Sequence, residues 1–256
     1  MAGAIYAGSR RRGGGLSTAA GVWEGRLVAS ALIGGVAALD ATPVAQTLLS
    51  QPLVTATALG ALWGDWVTAF EVGLVLQILA ASTLPLGART PEDYSTGGVI
   101  GASLALMAAQ RIPFEMYRES CALLGVIAGL LAATLGVPLL KWQRRRHEGL
   151  SRWCEAAVRA GHPGALAAAH RAAIALAFAI AVAYCALWMT ALPLLSGLAE
   201  RESLRLSRAW TLAQPLWLGL GLAQLMHAFL QRRLARAALY GVALVVAWLV
   251  LILGTP

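Results

Sequence analysis

The sequence predicts an all-α, polytopic integral membrane protein with about six to eight membrane helices or half-helices. Three observations predict it. The chain of 256 residues is 59% hydrophobic and only 12% charged, with a mean hydropathy of +0.69, whereas soluble domains carry about a quarter charged residues. Apolar blocks recur from residue 27 almost to the C-terminus. The Arg residues gather at the ends of those blocks, as charges in cytoplasmic loops do. A net charge of +8 distributed in this way reports membrane topology and excludes a nucleic-acid partner.

Taken in order, residues 1–26 read as a flexible basic tail. Arg10-Arg11-Arg12 imitates a secretory leader, but Gly13-Gly14-Gly15-Leu16-Ser17 supplies no apolar core behind it. Residues 27–256 read as a single membrane domain, with apolar blocks at 27–39, 43–64, 66–84, 97–109, 121–140, 172–198, 210–230 and 237–253. A full span needs about 20 residues. The blocks at 27–39 and 97–109 are therefore short, and either start upstream or are half-helices, which often mark a transporter's binding region. Residues 141–171 carry Lys141, Arg144, Arg145, Arg146, Arg152, Arg159 and Arg171, and are expected to form a cytoplasmic loop with an amphipathic helix around 149–160. Arg201, Arg205 and Arg208 then fall outside, and Arg232, Arg233 and Arg236 return inside. The tail shares the side of the basic loop if an even number of crossings separates them. Leu49-Ser50-Gln51-Pro52-Leu53 is echoed by Leu212-Ala213-Gln214-Pro215-Leu216, each expected to open an apolar block, which makes an internal repeat a candidate.

Little of the chain carries reactive chemistry. It has no Walker loop, no Gly-x-Ser-x-Gly elbow and no His-Glu-x-x-His, so neither a catalytic residue nor a cofactor is expected. Cys121, Cys154 and Cys185 lack ligand spacing and read as apolar fillers. His227, inside an apolar block, reads as a helix-packing residue. The acids and one amide carry more weight, because an ionisable group inside a span costs a few kcal/mol unless it faces protein or water. Asp40 ends the first block and Asp65 separates two blocks; each is either a helix cap or a solute-facing group. Glu71 and Gln77 lie deeper. Six residues is not a multiple of the helical repeat, so they occupy different faces and only one need line a path. Gln77 can donate and accept, which suits a sugar hydroxyl. Polar groups spaced through a hydrophobic block with Gly and Pro breaks point to transport of a polar solute.

Leu39-Asp40, Ser50-Gln51-Pro52-Leu53-Val54, Gly60-x-x-x-Gly64-Asp65, Gly73-x-x-x-Gln77, Pro85-x-Gly87-Ala88 and Pro91-Glu92-Asp93 follow one another in order. This run resembles the IIC component of the mannose/fructose/sorbose family of the sugar phosphotransferase system over about residues 27–110. The resemblance implies a permease domain in the bacterial inner membrane. It also implies a IID membrane partner, soluble or tethered IIA and IIB phosphocarriers, a hexose-type sugar, and an oligomer of IIC–IID pairs. Phosphate rides on the IIA and IIB histidines in that family, which agrees with the missing catalytic signature. The substrate-binding candidates are Gln77, Glu71, Asp40, Asp65, Glu92 and Asp93. Two departures stand out. The family has Glu where this chain has Gln77, and either Glu92 or Asp93 is the counterpart of its Asp after Pro. The loss of the carboxylate motivates a second reading, a regulatory membrane scaffold that no longer transports. A third, a lipid-modifying membrane enzyme, lacks an acid–base pair.

Overall fold

A computed structural model of the chain describes residues 15–41, 46–81, 92–112, 118–229 and 233–254, with positions 44 and 90. Among them the order is α1 (Gly15–Ala41), α2 (Pro52–Trp63), α3 (Trp66–Ala80), α4 (Tyr94–Ala109), α5 (Arg118–Arg159), α6 (Ala165–Arg201), α7 (Ser203–Phe229) and α8 (Arg233–Gly254). Two of these, α5 and α6, are long and apolar enough to cross a membrane. Large apolar side chains stay on the outside of the bundle, Leu194 being 82% exposed, as a lipid-facing surface requires.

The core is built by close backbone approach. Gly97 and Gly101 on α4 face Gly125 and Gly129 on α5, a small-xxx-small pair on each helix. A Cβ at Gly97 would lie 2.6 Å from the Gly129 carbonyl oxygen, and one at Gly125 would lie 2.7 Å from the Gly101 carbonyl oxygen. Nothing larger than hydrogen fits at this crossing. The α1 helix runs antiparallel to α4, with Gly34 beside Val99, and α6 is pinned to α5 where the Tyr184 hydroxyl donates to the Ala132 carbonyl at 2.6 Å.

Between them sits a helical hairpin. The α2 and α3 helices have 12 and 15 residues, or roughly 18 and 22 Å at 1.5 Å per residue, too short for the ~30 Å core of a bilayer. Gly64, at φ +84°, turns the chain, and Asp65 caps α3 by accepting from the Thr68 N–H at 3.2 Å and the Thr68 hydroxyl at 2.7 Å. The block lengths selected one short element correctly, block 97–109, which is α4 with 16 residues, and missed α2 and α3. Block 27–39 belongs to α1, which begins upstream at Gly15. Block 43–64 contains α2 as its described helix, because residues 46–51 are spent on a loop gathered around Asp40.

Three further expectations need correction. Residues 15–26, read as part of the tail, are the first turns of α1, and residues 1–14 lie outside the described residues. The basic segment 141–171 is helical well beyond the amphipathic helix expected around 149–160, and only residues 160–164 connect its two helices. The α5 helix runs unbroken to Arg159, with Pro138 inside it, and α6 starts at Ala165. Arg, Lys, Gln, Glu and Ala are good helix formers, so a solvated helix needs no apolar stripe to persist there. The five-residue echo is not a structural repeat, since Pro52 opens α2 whereas Pro215 lies inside α7.

The bundle has two distinct ends. At one end, Arg26 donates to Gln110 at 3.2 Å, Gln110 donates to the Trp63 carbonyl at 3.1 Å, and Asp65 lies 3.9 Å from Arg118. The other end holds Asp40, the start of α2, the C-terminal end of α3 and the start of α4. It is also where α5 passes Gly136 and continues as the basic arm; a Cβ at Gly136 would lie 3.3 Å from the Asp93 Cβ. The start of α1 and the arm are therefore at opposite ends.

The three cysteines allow the sidedness to be tested without substitution. None is in a disulfide; Cys121 and Cys185 are buried, and Cys154, on the arm, is partly exposed. An arm in the cytoplasm predicts that an impermeant maleimide labels Cys154 in inverted vesicles and leaves intact cells unlabelled. Labelling of intact cells would reverse the orientation.

Candidate functional site

Asp40 closes the last turn of α1 and is only 4% exposed. Its Oδ1 accepts from the Thr47 N–H at 2.6 Å and the Thr47 hydroxyl at 2.8 Å, and its Oδ2 accepts from the Ser50 N–H at 2.9 Å. These bonds hold a loop in which Gln46 and Leu48 adopt positive φ of 53° and 74°. That conformation is costly for side-chain-bearing residues and persists where surrounding bonds over-determine it. The carboxylate is committed to shaping the approach to α2.

Gln51 is the N-cap residue of α2 but makes no side-chain cap bond; Pro52 follows at the first helical position. The missing cap comes from another helix. Gln77, near the end of α3, accepts from the Leu53 N–H at 3.4 Å through Oε1 and donates from Nε2 to Gln51 Oε1 at 2.6 Å. A primary amide has two N–H donors and two acceptor lone pairs. Among the described residues these two bonds use one donor and one lone pair of the Gln77 amide.

The start of α4 completes this end. Asp93 accepts from the Thr96 N–H at 3.3 Å, the Thr96 hydroxyl at 2.7 Å and the Ser95 hydroxyl at 2.5 Å. Its own N–H donates to the Ala133 carbonyl of α5 at 3.0 Å. Pro52 lies against α4 at Gly98, where a Cβ would come within 3.0 Å of the proline ring. Two helix N-termini, α2 and α4, are thereby brought alongside the end of α3, and their partial positive charge favours electron-rich oxygen ligands. Glu92 precedes Asp93 and lies within the electrostatic reach of Tyr94. Pro85, Gly87, Ala88 and Pro91 lie outside the described residues.

The six candidates thus divide. Asp40, Gln77, Glu92 and Asp93 share one end of the bundle, while Asp65 and Glu71 belong to the other half. Asp65 is the cap at the hairpin tip, paired with Arg118. Glu71 lies in the field of Arg118, Glu119 and Asp65, and its buried Oε2 finds no hydrogen-bond donor among the described residues. Gln51 was missed as a candidate, because its partner Gln77 is 26 residues away and nothing local marks the pair. Its place before Pro52 was the available signal.

Among the described residues this end offers the amides of Gln51 and Gln77, backbone N–H ends and the carboxylates of Asp40, Glu92 and Asp93, groups able to hydrogen-bond hydroxyls. A search of curated protein sequences finds no match. Among solved structures, one described only as a membrane protein superposes with a TM-score of 0.64 at 14% identity, over 88% of this chain and 94% of that one. That likeness establishes the fold as that of a membrane protein. The family model for the sorbose-specific IIC component of the phosphotransferase system matches residues 26–254. With nearly the whole membrane bundle inside that match, the chain belongs to the mannose/fructose/sorbose family of phosphotransferase IIC components.

Proposed function

We propose that the chain forms, with a IID membrane subunit, the sugar-binding and translocation path of a PEP-dependent sugar phosphotransferase system in the bacterial inner membrane. IIA and IIB phosphocarriers supply the phosphate, and the assembly contains several IIC–IID pairs. The observation that carries this reading is Gln77, an amide held between Gln51 and Leu53 with half of its hydrogen-bonding capacity unspent among the described residues. It sits where a short hairpin meets the start of α4, the kind of broken-helix site at which transporters bind their cargo. Asp93 and Glu92 stand at the same end to receive further hydroxyls.

Equilibrium binding of labelled hexoses to membranes tests this, comparing the chain alone with the chain beside its IID partner. Saturable binding is expected only for the pair. A monodisperse chain that binds hexose well alone would overturn the need for IID. A folded pair that binds no hexose would overturn translocation and leave the scaffold reading standing.

A further inference from the structure

The two-helix arm formed by the end of α5 and the start of α6 has no use within the bundle. Gly136 is level with Asp93 at the start of α4. From there α5 continues to Arg159, about 35 Å of further helix. The two legs meet along one seam. Gln143, His147, Leu150, Cys154 and Ala157 are half-buried at a spacing of three and four residues, which places them on one face of α5. The remaining faces are open. Between residues 137 and 171 only Ala165 and Ala169, both on α6, are buried.

On those open faces, Arg145, Arg152 and Arg159 recur every seven residues, close to two helical turns, and all three are exposed. Trp153, Val158 and Leu166 are exposed among them at 51%, 55% and 72%. Only Glu148 and Glu155 oppose the seven basic residues of 141–171, and none of those residues forms an ion pair among the described residues. Aromatic side chains and Arg on an otherwise polar surface are the composition of protein-interface hot spots.

We propose that this arm is the docking surface for a water-soluble protein with an acidic face, namely the phosphocarrier that delivers phosphate to the complex. The identification of that partner rests on the function proposed above. Two observations favour a soluble protein over lipid headgroups. Trp142, with the Arg146 guanidinium 5.0 Å over its ring, directly follows the apolar part of α5, the position at which membrane helices favour Trp. Arg152 and Arg159 lie roughly 15 and 25 Å farther along the helix axis; with Trp142 at the headgroups and this part of α5 upright, that is beyond the ~8 Å over which membrane surface charge acts at physiological salt. The arm also rises beside the sugar end, and its root is tied there by the bond from Arg144 to the Thr90 hydroxyl at 3.2 Å. A protein held on the arm stands over the mouth where Gln77 and Asp93 lie.

The test uses the intact IIC–IID complex in neutral-lipid nanodiscs and the purified IIB phosphocarrier as probe. The paired substitution Arg152→Glu/Arg159→Glu is expected to weaken IIB binding about tenfold at low salt, with the difference closing as salt rises. Trp153→Ala should weaken it at all salt concentrations. Hexose binding by these variants is expected to be unchanged, which certifies that they fold. Unchanged IIB affinity in both variants would overturn the docking surface while leaving the sugar path intact. A loss seen only in nanodiscs of anionic lipid would make the arm a lipid-binding element and equally overturn it. Absence of IIB binding to the unsubstituted complex would overturn both this inference and the phosphotransferase role beneath it.

Discussion

Replacing Gly101 with Leu is expected to remove the protein from the membrane almost entirely. A Cβ at that position would be driven into the Gly125 carbonyl oxygen. The obstruction is backbone, which cannot rotate aside as the end of a long side chain can. Over-packing a well-filled core costs about 1–3 kcal/mol when neighbours can shift, and here α4 and α5 would have to separate along their whole contact. Separation would also open the fit of Gly97 on Gly129, where a Cβ at Gly129 would lie 2.9 Å from the Gly97 carbonyl oxygen. Membrane helices have no hydrophobic effect between them to compensate for lost packing. Gly149→Leu is the matched control, because nothing lies within 4 Å of a Cβ there. The measurement is the monodisperse yield in detergent of fluorescently tagged chains. Gly149→Leu should match the parent, while Gly101→Leu should aggregate or be degraded. A normal yield for Gly101→Leu would mean that the α4–α5 crossing does not hold the bundle together.

The second large effect is expected at Gln77. A hydrogen bond to a neutral partner contributes about 0.5–1.5 kcal/mol, and one to a charged acceptor about 1.5–3. Gln77→Glu keeps an oxygen for the Leu53 N–H, and Gln51 can rotate its amide to donate where it now accepts. The variant therefore retains the local structure and adds a charged acceptor. Hexose binding should strengthen by up to about tenfold, the equivalent of 1.4 kcal/mol. Gln77→Leu removes both bonds and should abolish hexose uptake. It also uncaps α2, at a cost of about 1 kcal/mol, so uptake must be normalised to the amount of folded complex. Gln51→Ala separates the two roles: it breaks the amide pair but leaves the bond between Gln77 and Leu53. If Gln77 only packs helices, both Gln77 variants would change yield and leave the sugar dependence of the remaining uptake as it was. Unchanged uptake in Gln77→Leu would remove Gln77 from the site.

Much of the helical core could be read from the sequence, and the reason is local. Gly64-Asp65 interrupts an apolar run with a residue suited to positive φ followed by a good capping residue, so the hairpin tip is written in two adjacent positions. The different placements of Glu71 and Gln77 follow from their spacing alone. What could not be read depends on partners far along the chain. Nothing near Asp40 announces that Thr47 and Ser50 will consume its carboxylate, and an Asp at the end of an apolar block looks the same whether it meets solute or backbone. The arm was misread for a different reason. Charge density suggested a loop, whereas the helix continues because its residues favour that state and a second helix lies alongside.

The cap that α3 supplies to α2 also constrains how this part of the molecule can move. The hairpin is closed at its tip by Gly64 and Asp65 and at its base by Gln77, Gln51 and Leu53. Parting the two legs would strand a helix N-terminus and two amides in an apolar surrounding. Sliding the hairpin as a block would disturb none of these bonds. At its base the hairpin meets α4 through Pro52 on Gly98, an apolar ring on a bare backbone, whereas at its tip the Trp63 carbonyl accepts from Gln110 and the Trp63 indole N–H donates to Ser30. The architecture thus makes the hairpin a stiff unit latched at both ends. The tip is held by Gln110, Ser30 and Arg118, and the base by the bonds that Asp40 accepts from Thr47 and Ser50. Any travel of the unit must release one of these latches.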